Sequence, residues 1–314
     1  AADSYFRSPE LLLAHAHGAP LSLLRQHLDL PDSQLEAIAT RGRNPITELD
    51  GAEDPVLDER GFPKLARWFQ PEKNAAGEPY DYYVHLDPGA TNDSFGFAMG
   101  HNHEMDTGAV LPTIDLAFRW TGSKFYQFGT IYRQQWFPEI PATTEEVMAA
   151  EIDFRTVREF IFYLAYARGF RIVQISFDNW NSVESRQELE KRGFQTFQRV
   201  VAKQDYDEFK TLAYNRQLRY YAYPILISEC YKLQLLNGTK VEAPRTKEGE
   251  STKSDSHKDV SDAVAAIARY LNFYRGDQVD VFQFDEVADE PTKKESLSPL
   301  SEGQRSLLNE FLSR

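Results

Sequence analysis

The sequence carries a single cysteine, Cys230, in 314 residues. That scarcity excludes an internal disulfide framework and any cysteine-rich zinc site, and it fits a reducing compartment. No apolar run approaches the ~20 residues of a bilayer-spanning helix, so a soluble protein with no membrane partner is expected. No G-x-x-x-x-G-K-[ST] loop occurs, which removes a complete ATPase site. "GSK" at 122–124 is too short to serve as one. The opening "AADSYFRSPELLLAHAHG" has neither the charged start nor the unbroken apolar core of a signal peptide. It also lacks an initiator Met, so the chain is expected to be a fragment or a processed form. Positive charge is short as well: Lys and Arg number 35 against 48 Asp and Glu, a net charge of -13. Such a balance argues against a passive nucleic-acid binder held by phosphate neutralisation.

With 41% hydrophobic and 13% aromatic residues, the chain can bury a full core. Residues 1–78 hold helical patches ("SPELLLAHAHG", "LSLLRQHL", "DSQLEAIATRG") and then a polar stretch ending "FQPEKNAAGEPY"; they read as a lead-in. From Asp81 the pattern changes. "DYYVHLD" alternates, with Tyr82, Val84 and Leu86 on one face. "SFGFAMGHNHE" and "TIDLAFRW" follow as two more strands of an antiparallel meander. "DFRTVREFIFYLAYARG" is helical, with Val157, Phe160, Ile161, Leu164 and Ala165 at helical spacing. "FRIVQISFD" reads as a strand buried on both faces. A helix ("SVESRQELEKRG"), a strand ("FQTFQRVVA"), two helical stretches across Pro224 and a short "GTKVEAP" strand lead to the alanine-rich helix in "SDSHKDVSDAVAAIARYL". The order predicts an α/β domain over 79–273, a mixed sheet with helices on both faces. Residues 274–314 read as a tail with a short terminal helix.

Four aspartates occupy element ends. Asp87 ends the first strand, Asp178 ends the apolar strand, and Asp259 and Asp262 open the late helix. Sites in α/β sheets gather beyond the carboxyl ends of parallel strands, where Asp87 and Asp178 meet if their strands are parallel neighbours. An oxygen-rich cluster of this kind suits Mg²⁺ or Mn²⁺, and two ions roughly 4 Å apart suit phosphodiester cleavage. Plain structural roles also fit each residue. Asp87 before Pro-Gly suits an Asx turn, Asp178 can cap the next helix, and Ser256 with Asp259 matches a capping box. Asp262 favours the helix dipole, but a second carboxylate three residues on repels the first. Val260, Val264, Ile267, Ala268 and Leu271 form the apolar stripe, while Asp259 and Asp262 share a face with Ala263 and Ala266. His101 and His103 alternate on one strand face with no third ligand evident, and read as satisfied surface histidines. Asp115 either lines the site or faces solvent, and Cys230 reads as core. The basic residues Arg186, Lys191, Arg192, Arg199, Lys203, Lys210, Arg216 and Arg219 form either a local basic face or a solvated surface of mixed charge.

"YYVHLDPGATNDSFGFAMGH", "IVQISFDNWNSVESRQELEKRGF" and "GTKVEAPRTKEGESTKSDSHKDVSDAVAAI", in this order over about 80–273, resemble the C-terminal nuclease domain of the large terminase subunit of tailed bacteriophages. The resemblance implies a ribonuclease H type fold and two-metal endonucleolytic cleavage of concatemeric double-stranded viral DNA with low sequence specificity. It makes Asp87 and Asp178 ligands of two divalent ions, Mg²⁺ or Mn²⁺, and places the third acidic ligand in "KDVSDA", where Asp259 and Asp262 both qualify. It further implies a viral portal protein and a small terminase subunit as partners. The expected location is the host cytoplasm, transiently at the capsid portal vertex. Without a Walker motif, residues 1–78 would be at most the end of an ATPase domain or a linker. A junction resolvase or transposase-like nuclease, and a non-catalytic portal-docking module, are the competing expectations.

Overall fold

Alternation in residues 81–88 produces β1 (Asp81–Pro88), and the second and third predicted strands form β2 (Ser94–Glu104) and β3 (Val110–Thr121). In the computed structural model, residues 4–17, 24–25, 28–39, 46–88, 94–121, 153–178, 183–244 and 258–275 are described. Two short helices, α1 (Glu10–His15) and α2 (Asp32–Ala39), precede the sheet. After the meander come α3 (Phe154–Phe162), which continues as a π turn over Tyr163–Ala167, then β4 (Arg171–Phe177), α4 (Val183–Lys191) and β5 (Gln195–Gln198). They are followed by α5 (Lys203–Tyr214), α6 (Pro224–Lys232), the hairpin of β6 (Gln234–Leu236) and β7 (Lys240–Glu242), and α7 (Asp259–Phe273). Ala1–Arg275 forms one compact unit. The tail and its expected terminal helix lie outside the described residues.

The five-stranded sheet has the order β3-β2-β1-β4-β5. β2 is antiparallel to both of its neighbours, while β1, β4 and β5 run parallel. This is the mixed α/β sheet that the element order predicts, in agreement with the ribonuclease H type fold that the resemblance implies. Its parallel half puts the ends of β1 and β4 side by side, which is what a site built from Asp87 and Asp178 requires.

Both faces of the sheet are covered. On one, Phe97, Phe118 and Trp120 meet Phe160 of α3 at centroid distances of 5.6, 5.7 and 5.6 Å. Residues preceding the sheet join this layer: Phe62 packs on Phe160 at 5.5 Å and Phe69 on Phe170 at 5.0 Å. Each such buried ring contributes roughly 2–3 kcal/mol of transfer free energy. The Arg168 guanidinium donates to the carbonyls of Ala66 and Phe69 at 3.2 and 2.8 Å, which satisfies backbone that would otherwise be orphaned.

On the other face lies α7. Every residue from Val260 to Ala268 is buried, so the predicted apolar stripe understates its burial. A helix apolar nearly all round belongs inside a layer, and α7 sits between the sheet and α5 and α6. Two glycines of β2 make room for it. A Cβ on Gly96 would stand 2.0 Å from the Asp259 carbonyl oxygen, and one on Gly100 would stand 3.0 Å from both Ile267 and Leu271 side chains. Glycine at these two positions lets the helix approach the strand backbone closely.

The basic stretch does not form one face. Arg199 and Arg219 turn inward, pairing with Asp205 and Glu72, while Lys203 pairs with Asp207 and Lys210 lies 4.1 Å above the Tyr5 ring. Arg199 and Arg219 thus neutralise buried acids, and Lys203 pairs with an acid at the surface. Cys230 is buried, as its apolar surroundings predict.

Candidate active site

The strand order brings the first two aspartates together. Asp87 pairs with Gly96 across β1 and β2, and the Asp178 amide donates to the Leu86 carbonyl at 3.1 Å, so the two carboxylates leave adjacent parallel strands at neighbouring positions. The other two arrive on α7. Because the start of α7 rests on Gly96, directly across from Asp87, its first turn delivers Asp259 and Asp262 to the same end of the sheet. Burial, then the charges of Asp262, Asp259 and Asp178, push the Asp87 carboxyl well above the usual carboxylate range, with Lys258 pulling the other way. All four predicted residues therefore share one electrostatic environment.

Each is held differently. Asp87 and Asp262 are buried, while Asp259 is half-buried. Asp262 accepts from Tyr206 Oη at 2.5 Å through one oxygen and pairs with Lys258 Nζ at 2.8 Å through the other. Burial raises its pKa, Lys258 and Tyr206 lower it, and the net direction is upward. Asp259 accepts from Ser94 Oγ. For Lys258, burial opposes the charge, yet Asp262, Glu242 and Asp87 hold its pKa above the ordinary lysine value. One ammonium cannot balance four carboxylates. With Asp87 and Asp262 buried and Asp178 and Asp259 half-buried, this oxygen-rich set with its excess of negative charge suits divalent cations of the Mg²⁺ or Mn²⁺ class, although its carboxylates are not gathered as closely as the side chains of Glu72, His101 and His103.

The capping-box reading does not describe the start of this helix. Its N-cap is Lys258, so Asp259 stands at the first helical position, where a capping-box acid occupies the third. Ser256 lies outside the described residues. Instead, Glu229 of α6 caps from a distance, accepting from the Ser261 amide at 2.7 Å. Its own pKa is pushed up to about 8, first by burial and then by Asp259. Tyr206, Ser94, Lys258 and Glu229 escape sequence reasoning because no motif surrounds Tyr206 or Glu229, and Ser94, though inside the first family-like stretch, is an ordinary strand-start serine there. Lys258 had the clearer signal, its place beside Asp259.

Beneath the cluster, His85 follows the same strand face as Asp87. Its Nδ1 lies 2.7 Å from Ser176 Oγ, and burial, aided by Arg199, lowers its pKa to about 3. A neutral imidazole there adds no positive charge to the site.

Three predicted candidates lie elsewhere. Asp115 neither lines the cluster nor faces solvent; it is buried against His101 Nδ1 at 2.7 Å. His101 is fully buried, so the surface reading fails for it, whereas His103 keeps 24% side-chain exposure. Both stand at the far end of β2, where His101 pairs with Tyr82.

No protein-family model and no curated protein matches the chain. Among solved structures, the large terminase of bacteriophage HK97 is similar at 18% identity and a TM-score of 0.40, over 64% of this chain and 40% of that one. The large terminase nuclease from thermophilic phage G20c with bound magnesium is similar at 14% identity and a TM-score of 0.37, over 69% of this chain and 93% of that one. A large terminase from another thermophilic bacteriophage, solved in complex with ADP, is similar at 13% identity and a TM-score of 0.40, over 73% of this chain and 46% of that one. The chain thus spans less than half the length of the HK97 and ADP-bound proteins and nearly all of the G20c nuclease. The solved structures to which it is similar are phage large terminases and large terminase nucleases.

Proposed function

We propose that this chain is the metal-dependent endonuclease part of a viral DNA-packaging terminase, cutting double-stranded DNA with little sequence preference. The observation that carries the reading is the convergence of Asp87, Asp178, Asp259 and Asp262 from three elements at one end of the sheet. Its support in sequence is the ordered set of motifs over about 80–273.

Asp87, Asp178, Asp259 and Asp262 would hold two divalent ions, Mg²⁺ or Mn²⁺, whose chemistry is to lower the pKa of a water and stabilise the leaving oxygen of a phosphodiester. The chain's own contribution is placement. Tyr206 and Ser94 fix the rotamers of Asp262 and Asp259, Glu229 anchors the first turn that carries both, and the Leu86–Asp178 backbone bond fixes the spacing of the strand-end pair. Lys258 balances part of the charge on Asp262. With His85 held neutral and hydrogen-bonded to Ser176, no histidine is assigned as general base.

The acidic balance of the chain, -13, gives little intrinsic attraction for DNA. We infer a nuclease that works on DNA delivered by a motor at the portal, with the portal protein and a small terminase subunit as partners in the host cytoplasm. Residues 1–78 are assigned as the end of the motor region or its linker, and 274–314 as a partner-contacting tail. Among the described residues no helix is long and apolar enough to cross a membrane.

The test is plasmid cleavage with Mn²⁺ or Mg²⁺. Wild type should nick and linearise, and Asp87→Ala and Asp178→Ala should each lose at least ~10³-fold, the scale of removing a metal-based nucleophile. An active double variant overturns the assignment. A strong preference for branched DNA would redirect it to a resolvase, and metal-independent portal binding without cleavage to a docking module.

A further inference from the structure

We propose a second metal site, for a zinc-class ion, formed by Glu72, His101 and His103 at the opposite end of the β1–β2 pair from the acidic cluster. The two sites stand about 17 Å apart, five strand steps of ~3.4 Å each. This inference does not depend on the nuclease reading.

The donors are already assembled. Glu72 Oε2 lies 2.8 Å from His103 Nδ1 and 3.5 Å from His101 Nε2, and the three ligand atoms all fall within 4.8 Å of one another. Donors on a tetrahedral zinc ion at ~2.0–2.1 Å stand ~3.3 Å apart, so small side-chain rotations suffice. Neither ring nitrogen makes a well-aligned hydrogen bond, and each meets only the Glu72 carboxylate, in ion-pair contact. For the fully buried His101 ring that contact is long, and an ion between the three side chains would satisfy the nitrogen better.

The surroundings favour a cation there. Asp115 Oδ2 lies 2.7 Å from His101 Nδ1, so that in the neutral ring Nε2 would carry the lone pair, the carboxylate–histidine arrangement that orients metal-binding imidazoles. A register shift between β2 and β3 at Met99/Gly100 sets Asp115 in that position. Glu72 is fixed by its amide donating to Tyr82 Oη at 2.8 Å, and its other oxygen, Oε1, receives Arg219 Nη2 at 2.6 Å. Arg219 in turn is pinned to the edge of β3, with backbone bonds to Pro112 and Ile114 at 2.9 and 2.8 Å. Oε2 is thereby aimed at the histidines. Two imidazoles and one carboxylate match the preference of zinc, whereas Mg²⁺ prefers all-oxygen sites. The partial exposure of His103 leaves a path for entry and for a water as fourth ligand. Because Glu72 precedes the sheet and both histidines lie on β2, the ion would tie the lead-in segment to the sheet.

The experiment uses the full chain, stripped with chelator and titrated with Zn²⁺ by calorimetry, and with Co²⁺ by visible absorption. Wild type and Asp87→Asn should both bind one Zn²⁺ at this site, with a rise in Tm. Co²⁺ should give the strong visible bands of a four-coordinate nitrogen-containing site. His103→Ala should weaken this binding at least tenfold and lose the Tm response. His103→Cys, which replaces one zinc ligand by another, should retain Zn²⁺ and add a thiolate-to-Co²⁺ charge-transfer band that appears only if residue 103 ligates. Unchanged stoichiometry in His103→Ala, absence of the charge-transfer band in a folded His103→Cys, or no Zn²⁺ uptake at micromolar concentration overturns the proposal. The last result would assign His101 instead as a protonated partner of Glu72 and Asp115.

Discussion

Gly96→Ala probes the contact that places half of the acidic cluster. The added Cβ would lie 2.0 Å from the Asp259 carbonyl oxygen and 2.4 Å from its carbonyl carbon, where ordinary contact begins at 3.4 Å. The helix terminus, or the strand beneath it, must therefore yield by about 1.4 Å. Both neighbours are backbone in a packed layer, so the substitution acts as overpacking and should cost ~1–3 kcal/mol. At roughly 2–4 °C per kcal/mol for a large unit, that corresponds to a Tm lowered by roughly 2–12 °C. Activity should suffer more than stability, because a misplacement near 1 Å costs on the order of 10²-fold in rate. The assay pairs thermal unfolding with Mn²⁺-dependent plasmid nicking at a temperature where the variant is folded. Gly51→Ala is the control, since nothing lies within 4 Å of its added Cβ, and it should stay within ~0.5 kcal/mol of wild type. A Gly96→Ala protein with unchanged Tm and unchanged nicking would refute the claim that this contact positions Asp259 and Asp262.

Other consequences are smaller in scope. Asp87→Asn should raise the Tm measured in chelator at neutral pH, because burial and then three other carboxylates oppose ionisation of Asp87 in the folded state, and it should abolish the Tm increase on adding Mn²⁺; a lower Tm in chelator would contradict this opposition. Tyr206→Phe removes the donor to Asp262 at 2.5 Å, should cost ~1–3 kcal/mol, and should raise the Mn²⁺ concentration for half-maximal nicking several-fold without abolishing it. His85 has a folded pKa of about 3 against an ordinary 6.5, so between those values the unfolded chain binds the extra proton and stability falls as pH drops, by up to ~1.4 kcal/mol per pH unit. His85→Gln should flatten that part of a urea-unfolding profile between pH 4 and 6.5, and an unchanged slope would show that another group is responsible.

Much of the fold is legible because strand alternation and helical spacing are local signals. β2 covers the same residues, Ser94–Glu104, as the strand read from the sequence, and α6 opens on Pro224, a residue suited to a first helical turn. The four aspartates were also legible, since each ends or opens an element. What stayed hidden depends on residues far apart in sequence. Tyr206 and Glu229 reach the cluster from helices with no motif, and Glu72 meets His101 and His103 only once the lead-in segment packs on the sheet. The basic stretch left two readings open because charge in a sequence says nothing about which way a side chain turns. Arg199 and Arg219 were spent on Asp205 and Glu72 inside the fold.

The central claim is that Asp87, Asp178, Asp259 and Asp262 hold the ions that cut DNA, and anomalous diffraction from crystals soaked in Mn²⁺ tests it most directly. The account predicts two peaks roughly 4 Å apart, bounded by Asp87, Asp178 and one or both of Asp259 and Asp262. Mn²⁺ peaks elsewhere, with none at these carboxylates in a preparation that still nicks plasmid, would contradict it.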